Sequence, residues 1–221
     1  AIIGCGFFSH NHMHAWKEIK NVEIVSACDL DKKKVSDFSK KFQISNHYTN
    51  IDELLNEENL DFVDVVTTME THLSIAKILA KRKIPTSMQK PFAENLVNAK
   101  KIVRLYKKTH TPLMVHENFR WQTPLMILKK LEKKYRLKHP HYAKISFRHA
   151  NPVGYTNQTY LYDLKEYLIL DVGIHLYDLS RFFLGEAKSV YTINQNTNKK
   201  FKGETAFTSL VRHYNGGVSI I

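Results

Sequence analysis

Apolar positions along the chain fall into two regimes. From Ala1 to about Phe119, short apolar runs alternate with stretches of helical period: Ala1 to Cys5, Val22 to Cys28, Phe62 to Thr67, Thr86 to Met88 and Leu113 to Glu117 read as strands. Between them Val35, Phe38 and Phe42 keep helical spacing, as do Leu96, Ala99, Val103 and Tyr106. Thr49 with Asp52 three residues later matches a capping box that opens a short helix. Strands alternating with helices predict a parallel sheet joined by crossover helices.

After Phe119 the rhythm changes. A helix is expected over Thr123 to Arg136, carried by Ile127, Leu131 and Tyr135, and Lys144 to His149 alternates like a strand. Val172 to Leu184 has a helical face of Ile174, Tyr177 and Leu184. Thr205 to Tyr214 reads as a strand, Asn215-Gly216-Gly217 as a hairpin turn, and Val218 to Ile221 as the return strand. The expected architecture is therefore α/β: a doubly wound, Rossmann-like parallel sheet over residues 1–119, then a second α+β domain over 120–221. The second sheet is open and stops soon after its return strand, so it is expected to be incomplete.

Composition narrows the class. The 221 residues are 43% apolar, enough for buried cores, yet no window approaches the roughly 18 apolar residues of a membrane-spanning helix. The opening AIIGCGFF is short and lacks a basic lead-in, so it reads as a strand rather than a secretory signal. Two cysteines, Cys5 and Cys28, do not make a disulfide scaffold and fit a reducing cytoplasm. A net charge of +12 favours anionic partners in general. Its lysines, however, are spread in pairs along expected helix faces, which points to a solvated surface and away from nucleic acid.

Gly4-Cys5-Gly6-Phe7-Phe8-Ser9 follows the first strand and opens a helix, the setting of a dinucleotide-binding loop. Gly4 allows the tight turn, Gly6 lets the backbone approach a pyrophosphate, and the helix amino terminus offers free N–H groups. Ser9 stands in for the third glycine. Asp29 ends the second strand, 23 residues past Gly6, where a carboxylate accepts hydrogen bonds from ribose hydroxyls and repels a 2′-phosphate. The expected cofactor is NAD, with NADP as the alternative, held by Gly4, Gly6, Phe7, Phe8, Ser9, Asp29 and Leu30.

Four segments in order extend this reading. Gly4 to His12 (GCGFFSHNH), Thr67 to His72 (TTMETH), Gln89-Lys90-Pro91, and Asp171-Val172-Gly173-Ile174-His175 with Asp178 together resemble the Gfo/Idh/MocA family of NAD(P)-dependent oxidoreductases. The resemblance implies hydride transfer between a nicotinamide and a sugar, polyol or related hydroxy compound. It adds Thr67, Thr68, His72, Gln89 and Lys90 to the cofactor-binding set, and makes Lys90, Asp171 and His175 the catalytic set. Substrate contacts are expected from Lys90, Arg120, Tyr160, Asp171 and His175. Homo-oligomeric assembly is also implied. The departures from the family pattern are specific: Thr68 and Met69 replace two prolines, Gln89 replaces a glutamate, and Lys83 stands where a helix-ending glycine is usual. The lost prolines, Ser9, Lys83 and the early stop of the second sheet motivate the alternative of a truncated or decayed homologue that binds a dinucleotide without catalysis.

The chemistry agrees with these roles. Oxidising an alcohol needs a base near neutral pH, and an ordinary histidine meets that need. Asp171, four residues before His175, shares its face if a helix starts there and either orients the ring or holds a substrate hydroxyl. A Lys90 ammonium stabilises charge developing on the reacting oxygen. His10 and His14, one helical turn apart, invite a metal reading, but no spacing of further ligands supports it, and no metal is expected.

Overall fold

The computed structural model describes residues 1–138, 140–149 and 158–221. The chain divides into two compact units, Ala1–His116 and Glu117–Ile221.

The first unit contains β1 (Ile2–Ile3), α1 (Ser9–Glu18), β2 (Ser26–Cys28), α2 (Lys32–Phe42), β3 (Asn46–Tyr48), α3 (Ile51–Glu57), β4 (Val63–Val65), α4 (Met69–Lys81), β5 (Thr86–Met88), α5 (Leu96–Thr109) and β6 (Leu113–Val115). The six strands are parallel in the order β3-β2-β1-β4-β5-β6, the doubly wound topology that the alternation predicts. Successive strand residues serve opposite faces. Ile2 and Ala27 join Met13, Val35, Phe38 and Phe42 on one side, while Ile3 and Cys28 join Leu54, Ile75, Leu79 and Ile102 on the other.

Local chemistry explains the elements. Asp31 caps α2 by accepting from Lys33 N and Lys34 N, and Lys40 and Lys41 close its last turn in favourable register with the helix dipole. At α3 the cap is Asn50, whose side chain accepts from Asp52 N and Glu53 N; this corrects the expected Thr49–Asp52 box by one residue. β5 is the expected Thr86 to Met88, while the other expected strands are longer than the paired ladders. Gly4, at φ +97°, turns the chain out of β1, the carboxyl ends of β4 and β6 likewise leave the ladder, and β2 pairs only from Ser26 although the expected strand starts at Val22. Lys83, the residue in place of a glycine after α4, does adopt a positive φ of 56°, the left-handed conformation that a side chain resists.

The second unit contains a 3-10 turn (Phe119–Trp121), α6 (Thr123–Lys134), β7 (Tyr142–Lys144), a second 3-10 turn (Thr159–Asp163), a π-helical turn (Ile169–Gly173), α7 (Ile174–Leu184), β8 (Ala187–Gln195), β9 (Ala206–His213) and β10 (Val218–Ile220). Its mixed sheet runs β7-β10-β9-β8, with β10 parallel to β7 and antiparallel to β9. The strand expected over Lys144 to His149 lies earlier, because pairing follows β10 from Val218↔Tyr142 to Ile220↔Lys144 and ends there. The helix expected from Val172 begins at Ile174, after the π turn. Buried Glu204 caps that entry, accepting from Tyr167 N at 3.3 Å and Ile169 N at 2.8 Å. The Asn215-Gly216-Gly217 turn is as expected, with Asn215 Oδ1 accepting from Gly217 N. Among the described residues no helix is long and apolar enough to cross a membrane.

Candidate functional site

In the first unit the glycine loop is held from below. A Cβ on Gly4 would lie 2.7 Å from Val66 O, so the turn tolerates no side chain. Asp29 ties the loop to β2: its Oδ2 accepts from Cys5 N at 2.8 Å and its Oδ1 from Asp31 N at 2.9 Å. Burial, and next the Asp29 carboxylate, push both thiols up, Cys28 to about 11 and Cys5 further, so both stay protonated and unreactive.

The site fits a dinucleotide on three counts. A Cβ at Gly6 would meet nothing within 4 Å, leaving room for close approach. The amino terminus of α1 has no side-chain cap and no acidic residue in its first turn. Ser9, in the third glycine position, is fully buried and donates its hydroxyl to Gly6 O at 2.6 Å, so the substitution leaves no unmet polar group. Phe7 and Leu30 lie exposed beside this loop, and Phe8 is the residue preceding α1.

The loop after β4 keeps its shape without prolines. Thr68 sits at φ −77° and ψ 150°, which a proline would also adopt. Thr71 Oγ1 donates to Thr67 Oγ1 at 2.7 Å or to Thr68 O at 2.8 Å. His72 is fully buried, with Nδ1 3.0 Å from Phe92 O and Nε2 3.2 Å from Thr67 O, joining this loop to the one after β5. Burial pulls its pKa below the ordinary histidine value, against the two carbonyls that raise it.

Gln89 and Lys90 follow β5. Lys90 N donates to Gln89 Oε1 at 2.6 Å, and Gln89 Nε2 lies 2.8 Å from His12 Nε2. His12 Nδ1 lies 2.8 Å from Asp64 Oδ2, which also accepts from Trp16 Nε1 at 2.7 Å. His116 stands over the His12 ring at 4.4 Å between centroids. His12, Asp64 and His116 form a donor cluster of the kind a cation uses, but hydrogen bonds already occupy both ring nitrogens of His12. His10 and His14 instead pack on Phe42, and His10 Nδ1 faces Lys41 Nζ at 3.0 Å.

In the second unit His175 is the centre. It is buried in the first turn of α7, its Nδ1 lies 2.5 Å from Glu117 Oε1, and its ring stacks on Phe119 at 4.1 Å and 6°. The same Glu117 oxygen accepts from Phe119 N at 3.2 Å, which fixes both partners of the ring. No described residue hydrogen-bonds Nε2 of His175. Gly173 precedes α7 because a Cβ there would press on the Phe207 ring at 3.1 Å. Asp171 is half-buried in the π turn, and Tyr160 is exposed in the second 3-10 turn. Tyr155, which begins the aromatic-rich run Tyr155 to Tyr167 ahead of Asp171, lies outside the described residues. Arg120 clamps α7: its guanidinium meets both Asp178 carboxylate oxygens, Nε at 2.7 Å, and lies 5.0 Å over Phe182.

Comparison with known proteins agrees with both halves. Residues 1–117 match the family model for an oxidoreductase family with an NAD-binding Rossmann fold, and residues 127–221 match the GFO/IDH/MocA C-terminal domain. The chain belongs to the Gfo/Idh/MocA oxidoreductase family. Two curated members resemble it throughout: D-apiose dehydrogenase of Rhizobium rhizogenes, 39% identical over all 221 residues and 64% of that protein, and D-apiose dehydrogenase of Paraburkholderia graminis, 36% identical over all of this chain and 59% of that one. The chain thus spans about three fifths of these relatives' length. Among solved structures of the family, an oxidoreductase from Agrobacterium radiobacter in complex with NAD+, L-tartaric acid and magnesium superposes with a TM-score of 0.95 at 39% identity, over 99% of this chain and 64% of that one.

Two functional groups escape sequence reading. Glu117 is 58 residues from His175, at the end of an expected strand; Asp64 is 52 residues from His12, inside another strand. The single available sign was that Asp64 is a carboxylate in the middle of the apolar run Phe62 to Val66, a position that demands a partner.

Proposed function

We propose that this chain carries the cofactor half and the base-bearing part of an NAD-dependent dehydrogenase that oxidises a CH–OH group of a sugar, with D-apiose as the first substrate to try. The observation that carries this reading is the His175–Glu117 pair. With Nδ1 bound to a carboxylate, the neutral ring holds its proton there and presents Nε2 as a bare lone pair. The substrate hydroxyl proton moves to Nε2, while Glu117 stabilises the imidazolium that results. Bound NAD supplies the acceptor for the hydride leaving the same carbon. The Lys90 ammonium stabilises negative charge on the oxygen as its proton departs, and Asp171 holds a neighbouring hydroxyl. Arg120 acts through Asp178 to hold α7, and with it His175, in place. Asp29 at the end of β2 supports NAD over NADP.

D-apiose comes into the proposal from the two relatives that carry that name at 39% and 36% identity. Cytoplasmic location, supported by the two free cysteines, belongs to the same reading. So does homo-oligomeric assembly, which the exposed Val190, Tyr191 and Ile193 on β8 support.

The test uses the full-length enzyme with NAD+ and a panel of D-apiose, myo-inositol and L-tartrate, following reduced nicotinamide by absorbance. Turnover with D-apiose that disappears in His175→Ala and Lys90→Met, while NAD+ still binds both variants, is the expected result. Saturable NAD+ binding with no turnover on any polyol or sugar would favour the alternative of a binding homologue without catalysis.

A further inference from the structure

The residues beneath Lys90 form one connected line of hydrogen bonds whose polarity can be worked out from its ends. Lys90 N–H points at the side-chain amide of Gln89 at 2.6 Å, and only an oxygen can accept it. The amide therefore turns its NH2 group to His12, where Nε2 must be a bare acceptor. The ring proton then sits on Nδ1 and is donated to Asp64 Oδ2. Every link is thus determined, and His12 is a neutral ring with one tautomer. Asp64 is a rigid anchor. It pairs in register with Ile2 and Ser87 at the middle of the sheet, is fully buried, and its Oδ2 also takes the indole proton of Trp16. His12 and Gln89 are both more than nine-tenths buried, so water does not compete for these bonds.

The geometry points to Asp64, His12 and Gln89 as positioning residues for Lys90: a buried relay, anchored on the centre of the sheet, that clips the peptide bearing Lys90 and so fixes where its side chain departs. The amide at 89 keeps the His12 ring neutral. A carboxylate there would still accept from Lys90 N, but its second oxygen would need a proton from His12 Nε2 and would draw a second proton onto the ring. That the clipped lysine matters for turnover rests on the dehydrogenase reading. The relay itself does not.

The test separates the two. Nitrogen-15 spectra of the imidazoles in the full-length protein at neutral pH should show His12 with a protonated Nδ1 and a bare Nε2, and Gln89→Glu should convert it to a doubly protonated ring. A wild-type His12 protonated on Nε2, or a Gln89→Glu ring that keeps one proton, overturns the relay. Amide exchange at Lys90 should accelerate at least about tenfold in Gln89→Leu, which keeps the bulk but not the acceptor, and should stay slow in Gln89→Glu. Equal protection in all three proteins also overturns it. If Gln89→Leu fails to fold, the wild-type tautomer and the isosteric Gln89→Glu still decide. For turnover of D-apiose, Gln89→Leu should lower kcat roughly tenfold to a hundredfold with the KM for NAD+ within about twofold, and Gln89→Glu should restore most of it. An unchanged kcat in Gln89→Leu refutes positioning. Absence of D-apiose turnover in the wild type counts against the dehydrogenase reading, and the spectra and exchange rates then decide the relay alone.

Discussion

Each compact unit buries one histidine against a carboxylate: His12 on Asp64 at 2.8 Å in the first, His175 on Glu117 at 2.5 Å in the second. The near nitrogens are alike. The far nitrogens are not, since Nε2 of His12 meets the Gln89 amide while that of His175 meets no described residue. The carboxylates differ as well. Asp64 belongs to the middle of a buried strand, whereas Glu117 follows the last strand of the first sheet and keeps a side chain 16% exposed. One pair of groups therefore yields two devices. Closed at both ends it is a strut; open at one end it leaves the lone pair that the proposed proton transfer needs.

Changes to each pair sharpen this contrast. The largest effect is expected from His175→Ala, which should lower kcat for the sugar by about 10²- to 10⁴-fold while leaving NAD+ affinity nearly unchanged, read by steady-state kinetics and calorimetry. Asp64→Leu should instead act on folding, because it leaves His12 and Trp16 without their buried acceptor. A loss of about 3 kcal/mol in urea unfolding is expected, and a loss below about 1 kcal/mol would mean that the strut is dispensable. Glu117→Gln keeps an oxygen for Nδ1 but removes the charge that steadies the imidazolium. It should lower kcat about tenfold with folding stability changed by less than about 1 kcal/mol, so an effect on stability alone would make this pair a second strut.

A smaller effect comes from pH. His116 lies over His12, and burial holds its pKa below the ordinary 6.5, with Asp64 opposing. Below pH 6.5 the unfolded chain takes up a proton that the folded chain refuses, so stability is full above that pH and declines as pH falls from 6.5 towards the lowered folded value. Buried His72 adds to the same decline. In thermal melts between pH 7 and pH 5, His116→Gln should show a shallower loss than the wild type; a parallel slope would show that this ring does not contribute.

Much of the architecture is legible without coordinates, because its causes are local. Val35, Phe38 and Phe42 bury one face of α2, the Gly4 turn ends β1, and Asn215-Gly216-Gly217 closes a hairpin, each dictated by residues a few positions apart. The parallel pairing of the first sheet follows from the same alternation, whereas β3 does not stand out in it. What escapes is whatever depends on groups brought together from a distance: Glu117 with His175, Asp64 with His12, and Glu204 capping the entry to α7 from 35 residues away. Arg120 shows the difference within one residue. In the sequence it is an expected ligand contact at the start of the second domain, yet its pairing with Asp178 and its place over Phe182 become visible only in three dimensions.

The two bonds from Asp29, to Cys5 N and to Asp31 N, have a consequence for how quickly and at what entropy a ligand is taken up. A glycine loop is ordinarily supple, and a guest that has to freeze it forfeits part of its affinity to that ordering. Here the freezing is done during folding, by the Asp29 carboxylate. A loop tied down in advance leaves a guest less ordering to impose, which should make uptake faster and less costly in entropy.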